Sequence, residues 1–370
     1  MSVNANIKQV MTVATAVFAG GGVPMLWGPP GVGKSIGMAY YCQQRAAELG
    51  LQGVAEYGDQ PKDPSKWFGF IDLRATDKDP VDMGGLPDKD ETTGVMIRLC
   101  PDWFPHTGRT DLPDHGVLFI DEAPSAPPSV QVTCYQITQE KRIGAYKLKP
   151  GWSVAMAGNR VTDSGASFKM PAPLANRIQH LHVSSDSTYW LNEVASIIEL
   201  EPLVQAFIRF RPDLLNTFEA HLEHGRKEMA FATERSWQKL SDILKASPRL
   251  LDDRVSLMML TAGTVGEAQA VEFCSFVQIW QDMPDIDQIL ADPVQAPVEF
   301  NAATTYAVLT ALAHRAESKT FAAIMAYLTR LSPEYAVAGI KTVNSRDNGR
   351  EIYATEAFIK WSTEYGHLLG

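Results

Sequence analysis

A chain of 370 residues with 45% apolar and 21% charged side chains holds enough apolar material for one large or two to three smaller packed cores, and too little charge for bulk disorder. Its net charge of −10 argues against a broad phosphate-binding surface, while leaving room for a local basic channel. No run approaches the roughly 18 apolar residues of a membrane span, the N-terminus lacks a secretion-signal pattern, and Cys42, Cys100, Cys134 and Cys274 are too scattered for a metal cluster, so a cytoplasmic protein with reduced thiols is expected.

In chain order, Ile7, Val10, Met11, Ala14, Val17 and Phe18 have helical spacing, stopped by the glycines at 20–22. Val23–Trp27 then reads as a short buried strand, and Ser35–Leu49 as a helix ending at Gly50. Trp67–Arg74 is strand-like, the stretch from Gly84 to Leu99 reads as a hairpin with a polar tip, and Val117–Ile120 is an apolar run suited to a strand buried on both faces. Ser129–Glu140 predicts a helix, Arg142–Leu148 a short strand, Ser153–Ala157 a core strand and Ile178–Val183 a last strand. Beyond about residue 185 only helical patterns follow: Trp190–Ile198, Pro202–Phe210, Glu234–Leu244, Arg254–Leu260, Ala268–Ile279, Ala302–His314, Phe321–Leu331 and Ile352–Thr363. Prolines and acids between Asp282 and Pro297 suggest a second break near 290. The expected organisation is an α/β core at 1–185, a helical lid at 186–290 and a helical extension at 291–370.

The most specific signal is the run Gly28-Pro29-Pro30-Gly31-Val32-Gly33-Lys34-Ser35, set between a predicted strand and a predicted helix. Glycines let backbone N–H groups turn toward a phosphate, and the following helix N-terminus adds its dipole. Lys34 then supplies a point charge, and Ser35 a hydroxyl for Mg²⁺. Asp121 ends the next clear core strand and is placed to hold Mg²⁺ through water, while Glu122 can polarise an attacking water. Both acids would also serve as a plain helix start. Asn159 ends the following strand, where an amide can orient that water or simply make a turn. Arg177 and Arg235 have the chemistry to meet developing phosphate charge; on the residues alone each is equally an ordinary structural arginine. His106, His180, His182, His221 and His224 lack the carboxylate or cysteine company of a metal site. Lys141, Arg142, Lys147 and Lys149 form the single basic cluster fit to line a nucleic-acid channel, or else a solvated face.

In this order and spacing the motifs resemble the AAA+ ATPases, and within them the MoxR-like, dynein-related branch. GPPGVGKS and VLFIDEAPSAPPSVQ match its two nucleotide motifs, AGNRVTDSGASFKMPAPLANRI its first-sensor and arginine-finger region, and FATERSWQKLSDIL its second-sensor helix. Glu234 stands where that helix usually has a proline. The hairpin near 84–99 and a second hairpin before Ser153 look like the branch's two insertions, and the likeness covers roughly residues 5–280.

The resemblance implies a P-loop NTPase αβα core with a parallel sheet, a helical lid, and a homo-oligomer, usually a hexameric ring. ATP and Mg²⁺ would sit between subunits, with Lys34, Ser35, Asp121, Glu122, Asn159 and Arg235 from one subunit and Arg177 from the next as the finger. It further implies remodelling of a protein partner, often one carrying a von Willebrand A domain. The hairpin tip at Gly84–Gly94 and Ala145-Tyr146 are the candidate pulling elements. A nucleic-acid motor and a nucleotide-gated scaffold are the alternatives that the same motifs allow.

Overall fold

The computed structural model describes residues 4–160, 168, 170–223, 225, 229–344, 352 and 355–365. Among the sequence expectations, His224, the middle of the finger-region motif (161–167 and 169) and part of the 352–363 helix lie outside those residues. The chain forms two compact units, Met1–Ser184 and Ser185–Gly370.

The first unit runs β1 (Asn4–Ala5), α1 (Ile7–Ala19), β2 (Pro24–Trp27), α2 (Lys34–Glu48), β3 (Val54–Glu56), β4 (Phe68–Arg74), α3 (Pro80–Gly84), the hairpin β5–β6 (Pro87–Lys89 and Met96–Arg98), β7 (His115–Asp121), α4 (Pro128–Glu140), the hairpin β8–β9 (Arg142–Ile143 and Tyr146–Lys147), β10 (Gly151–Gly158), α5 (Ala172–Ala175) and β11 (Gln179–Val183). Seven strands form one parallel sheet in the order β1-β11-β2-β10-β7-β4-β3. Because side chains alternate along a strand, the apolar runs feed two cores. Val117 and Phe119 of β7 join Phe68 and Phe70 of β4 and Val10, Met38 and Cys42 of α1 and α2. Leu118 and Ile120 join Ile71 and Leu73 of β4 and Met83, Val130 and Ile137 of α3 and α4. A sheet covered on both sides has no polar face, which is why β7 reads as an unbroken apolar run. Truncating Phe119, fully buried, to alanine would cost about 3–5 kcal/mol. This αβα sandwich is the P-loop fold that the motifs imply.

The second unit is helical. Its principal helices are α6 (Ser187–Tyr189), α7 (Pro202–Phe210), α8 (Phe218–Glu223), α9 (Glu234–Ala246), α10 (Arg254–Val265), α11 (Glu267–Gln281), α12 (Ile286–Ala291), α13 (Ala302–His314), α14 (Phe321–Leu328), α15 (Pro333–Asn344) and α16 (Glu356–Tyr365). Phe207 anchors one core, its ring 5.3 Å from Trp237 and 5.3 Å from Phe273. A second core gathers Ile289, Leu312, Phe321, Tyr327, Ile340 and Trp361. Helix α13 serves both, giving Ala303 and Ala307 to the first and Leu309 and Leu312 to the second.

Several elements differ from the sequence reading. The segment expected to break near 290 carries α12, and its carbonyls are used: Arg330 donates to those of Pro293 and Ala296, and the Tyr327 hydroxyl to that of Pro297. The helix expected at 190–198 is a π-type turn over Trp190–Val194, with Ala195 N–H donating to the Trp190 carbonyl, followed by plain turns up to Glu199, which has φ 48°. The short strand read at 142–148 is the β8–β9 hairpin, turned at Gly144 with φ 53°, where the resemblance implies a second hairpin before Ser153. Helix α15 has no counterpart among the expected elements, its pattern being interrupted by Gly339, which packs against Leu328.

Candidate nucleotide site

The loop between β2 and α2 turns twice through left-handed backbone, at Gly31 (φ 81°) and Gly33 (φ 92°), a region open to glycine and costly for other residues. Space beside the Cα of Gly33 is empty within 4 Å, so conformation rather than crowding demands glycine there. Gly33 caps α2 without any side-chain hydrogen bond. A glycine at this position offers no side chain to the first-turn N–H groups, which leaves the helix start suited to a phosphate. Lys34 opens the helix and is nine-tenths buried. Its Nζ donates to the carbonyls of Gly28 (2.7 Å) and Pro29 (2.9 Å) and to Oδ1 of Asn159 (3.1 Å).

The ends of β7 and β10 meet this loop. Ser35 Oγ donates to Asp121 Oδ2 at 3.0 Å, while Asp121 Oδ1 accepts the N–H of Glu122 at 2.8 Å. Glu122 has φ 55°, a strained position for a side-chain-bearing residue, worth about 1–3 kcal/mol. Its carbonyl accepts from Ser125 N–H, and its Oε2 accepts from the Thr76 hydroxyl at 2.7 Å. Gly158 lies so close to Pro124 that a Cβ there would come within 2.3 Å of the proline ring. This contact sets the β10 exit, with Asn159, against the turn after Glu122.

Beside Ser35, a pocket of about 350 Å³ is lined by Ile36, Ala39, Glu56, Tyr57, Phe70 and Asp72. Asp72 lies on the α2 side of the sheet, one alternation beyond buried Phe70. Although the residue reaches solvent, burial of its carboxyl and the negative charge of Asp121 push its pKa up to about 6, against the pull of Arg74.

The sequence-expected residues thus fall into three places. Lys34, Ser35, Asp121, Glu122 and Asn159 come together at the carboxyl ends of three neighbouring strands. Arg177 stands apart from this network: its Nη1 donates to the Tyr135 hydroxyl and to the Pro173 carbonyl, and its Cζ lies 4.5 Å from the Tyr135 ring centroid. Arg235 is exposed in the first turn of α9, in the second unit. Its neighbour Glu234, the residue replacing the usual proline, is buried and accepts from Asn216 Nδ2 at 2.8 Å, so it has a structural use of its own. Sequence reasoning missed Thr76 and Asp72. Thr76 carries no motif, and Asp72 is marked only as an acid at the apolar run's end.

The chemistry of the donor set fits Mg²⁺ and ATP. Ser35 and Asp121 offer two oxygens, and Mg²⁺ needs no more from protein, since it keeps waters and phosphate oxygens. Among the described residues no group of three or more His, Cys, Asp or Glu is placed to hold a metal ion. Three of the candidate histidines are engaged otherwise: His106 packs on Tyr146, His221 on Phe231, and His180 stacks on Trp27 and accepts its indole N–H at 2.7 Å. The cysteines are free, and burial pushes the Cys134 thiol up to about 12. Of the basic cluster, Arg142 and Lys147 are register partners across the β8–β9 hairpin, whereas Lys149 is buried against Asp114 and the Leu112 carbonyl, and burial draws Lys141 down to about 8. No helix among the described residues is long and apolar enough to cross a membrane.

No protein-family model matches the chain, and no curated protein matches it. Among solved structures it is similar to NtrX from Brucella abortus, with 13% identity over 100% of this chain and 69% of that one and a TM-score of 0.34. A RuvB variant from Thermotoga maritima shares 16% identity over 88% and 87%, with a TM-score of 0.35. A candidate ATPase from Cytophaga hutchinsonii shares 13% over 93% and 83%, with a TM-score of 0.32. At TM-scores this low the likenesses assign no function to this chain.

Proposed function

We propose that this chain is an ATP-hydrolysing ring ATPase of the AAA+ type, MoxR-like in its branch, that remodels or activates a protein partner. One observation carries the ATPase reading: Lys34 joins Asn159 while Ser35 joins Asp121, which cradles the backbone of Glu122. Residues far apart in sequence converge on one phosphate loop, and each has the chemistry its place requires.

In this reading the loop amides and Lys34 bind the phosphates, and Ser35 and Asp121 hold Mg²⁺. Bound ATP supplies the reactive γ-phosphoryl group and its leaving group. Glu122 accepts the proton of the attacking water through Oε1, its other oxygen being fixed by Thr76. Asn159 accepts from Lys34 through Oδ1 and keeps its amide N–H groups to orient that water. Arg177 acts on the neighbouring subunit's site, and Arg235 acts from the lid. The hexameric ring and a partner with a von Willebrand A domain come from the motif resemblance. A protein partner rather than nucleic acid is favoured by the −10 net charge and by the burial of Lys149, which takes it out of the basic cluster. The exposed side chains of Leu86, Val95 and Met96 on the β5–β6 hairpin offer apolar contact to such a partner, whereas Tyr146 is packed on the core.

The experiment is a turnover assay of purified protein with and without nucleic acid, paired with capture of partners by Glu122→Gln held in ATP. Steady ATP hydrolysis that is indifferent to DNA and RNA, together with a protein trapped only in ATP, supports the reading. Hydrolysis stimulated by nucleic acid and falling steeply with salt replaces it with the motor. Partner activation that survives Glu122→Gln replaces it with the scaffold.

A further inference from the structure

We propose that Tyr135 is the positioning residue for Arg177, holding the guanidinium in place with its charge intact for a second copy of this chain. The inference rests on the reading of Arg177 as a finger acting between subunits.

The backbone carrying Arg177 is fixed first. Pro171 and Pro173 restrict the chain, Leu174 is buried in the sheet's core, and the Arg177 N–H closes a turn on the Leu174 carbonyl at 3.0 Å. The side chain beyond it is long, exposed and rotamer-rich, so left alone it would sample many directions. Tyr135 removes that freedom. It projects from α4 between fully buried Cys134 and Ile137 and is itself half-buried against the same core. Its ring lies under the guanidinium, and its hydroxyl accepts one Nη1 proton while the Pro173 carbonyl accepts the other.

The choice of partner matters. A carboxylate would hold Arg177 more strongly, but it would neutralise the charge and compete with phosphate for the same fork. Among the described residues no carboxylate pairs with Arg177, and its Nε and Nη2 protons make no hydrogen bond. A phenol supplies a cation–π face and one acceptor, both uncharged at neutral pH. Three of the five guanidinium N–H donors therefore remain aligned and available. The arrangement orders an arginine without satisfying it, which is what a group serving another subunit's site requires.

Mixed assemblies separate this from a structural role. Arg177→Ala, Tyr135→Leu and Tyr135→Phe are each assayed alone, then mixed with excess Glu122→Gln subunits, which have a dead site and an intact finger. Tyr135→Leu is expected to lower kcat about 10-fold and Tyr135→Phe about 3-fold, with KM for ATP unchanged. Mixing should return each Tyr135 variant's per-site rate toward wild type, because the neighbour now supplies a clamped arginine. Combining Tyr135→Leu with Arg177→Ala should add no further loss. If Arg177→Ala is slow and rescued while the Tyr135 variants are not rescued, or are fully additive with it, the clamp is overturned and the finger stands. If Arg177→Ala is neither slow nor rescued, the finger reading falls and the clamp with it. Should Tyr135→Leu fail to fold, Tyr135→Phe decides by the same rescue.

Discussion

The strand-end corner and the Arg177 segment are built on opposite principles. At the corner every side chain is answered from within the chain: Lys34 has three oxygen acceptors, Ser35 has Asp121, and Glu122 has Thr76. Burial of Lys34 makes those bonds strong and their loss costly. Around Arg177 the described residues offer only a phenol and a carbonyl, at the surface. The closed network specifies where a nucleotide is held. The open one leaves a guanidinium ordered at the surface, the feature on which the proposed finger rests. On the proposed function hydrolysis needs both regions, and that reading couples it to assembly.

The largest expected effect lies in the closed network. Lys34→Ala removes the ammonium and strands the Gly28 and Pro29 carbonyls and the Asn159 amide. Nucleotide affinity should fall at least about 100-fold by calorimetric titration, with loss of thermal stability as well. Unchanged affinity would break the phosphate-loop assignment. Glu122 comes next, and it separates chemistry from backbone strain. Glu122→Gln should keep ATP binding and slow turnover by about 10²–10⁴-fold. Glu122→Gly should be equally slow yet more stable than Glu122→Gln by about 1 kcal/mol, read as a higher Tm, because glycine accepts φ 55° without strain. Equal Tm values would mean that the left-handed backbone is not a reservoir of strain.

Thr76→Val sharpens the same corner with a smaller effect. The hydroxyl fixes Oε2 of Glu122 and leaves the second oxygen to act. Losing it should cost about 3–10-fold in kcat with KM unchanged, since an untethered base is misplaced part of the time. A rise in kcat would show instead that the bond restrains Glu122.

How far these features were legible in the sequence follows from how local their physics is. The phosphate loop announces itself because its glycines, lysine and serine are contiguous and their spacing is a backbone requirement. The apolar runs of β4, β7 and β10 were legible because a sheet covered on both faces leaves no polar alternation. Thr76 was not legible, because a threonine after a strand means nothing until the parallel register Arg74↔Asp121 sets its element beside Glu122. Tyr135 was hidden for the same reason, reading as one more residue of a helix until α5 brings Arg177 over its ring. The prolines read as a break near 290 have a further use that needs the fold to be seen, their carbonyls accepting from Arg330 and Tyr327. Local chemistry is written locally, whereas partners chosen by topology need the fold.

Asp72 gives the smallest effect and the subtlest test of the comparison, since it borders the closed network without joining it. Its folded pKa of about 6 lies above the ordinary aspartate value of 3.8. A raised carboxyl binds its proton more tightly in the folded protein, so stability grows as pH falls through about 6 and levels off below the unfolded value. Above that window the ionised carboxylate faces Asp121, Glu56 and Glu122 and weakens the fold. Asp72→Asn removes the charge at every pH. Its Tm advantage over wild type should therefore be largest near pH 8, shrink as pH drops through 6, and vanish near pH 4. Because the residue reaches solvent, the advantage should be a few degrees at most. An advantage that is the same at pH 8 and pH 5 would show that packing, not charge, sets the cost, and that the acids around Ser35 do not act on one another through this pocket.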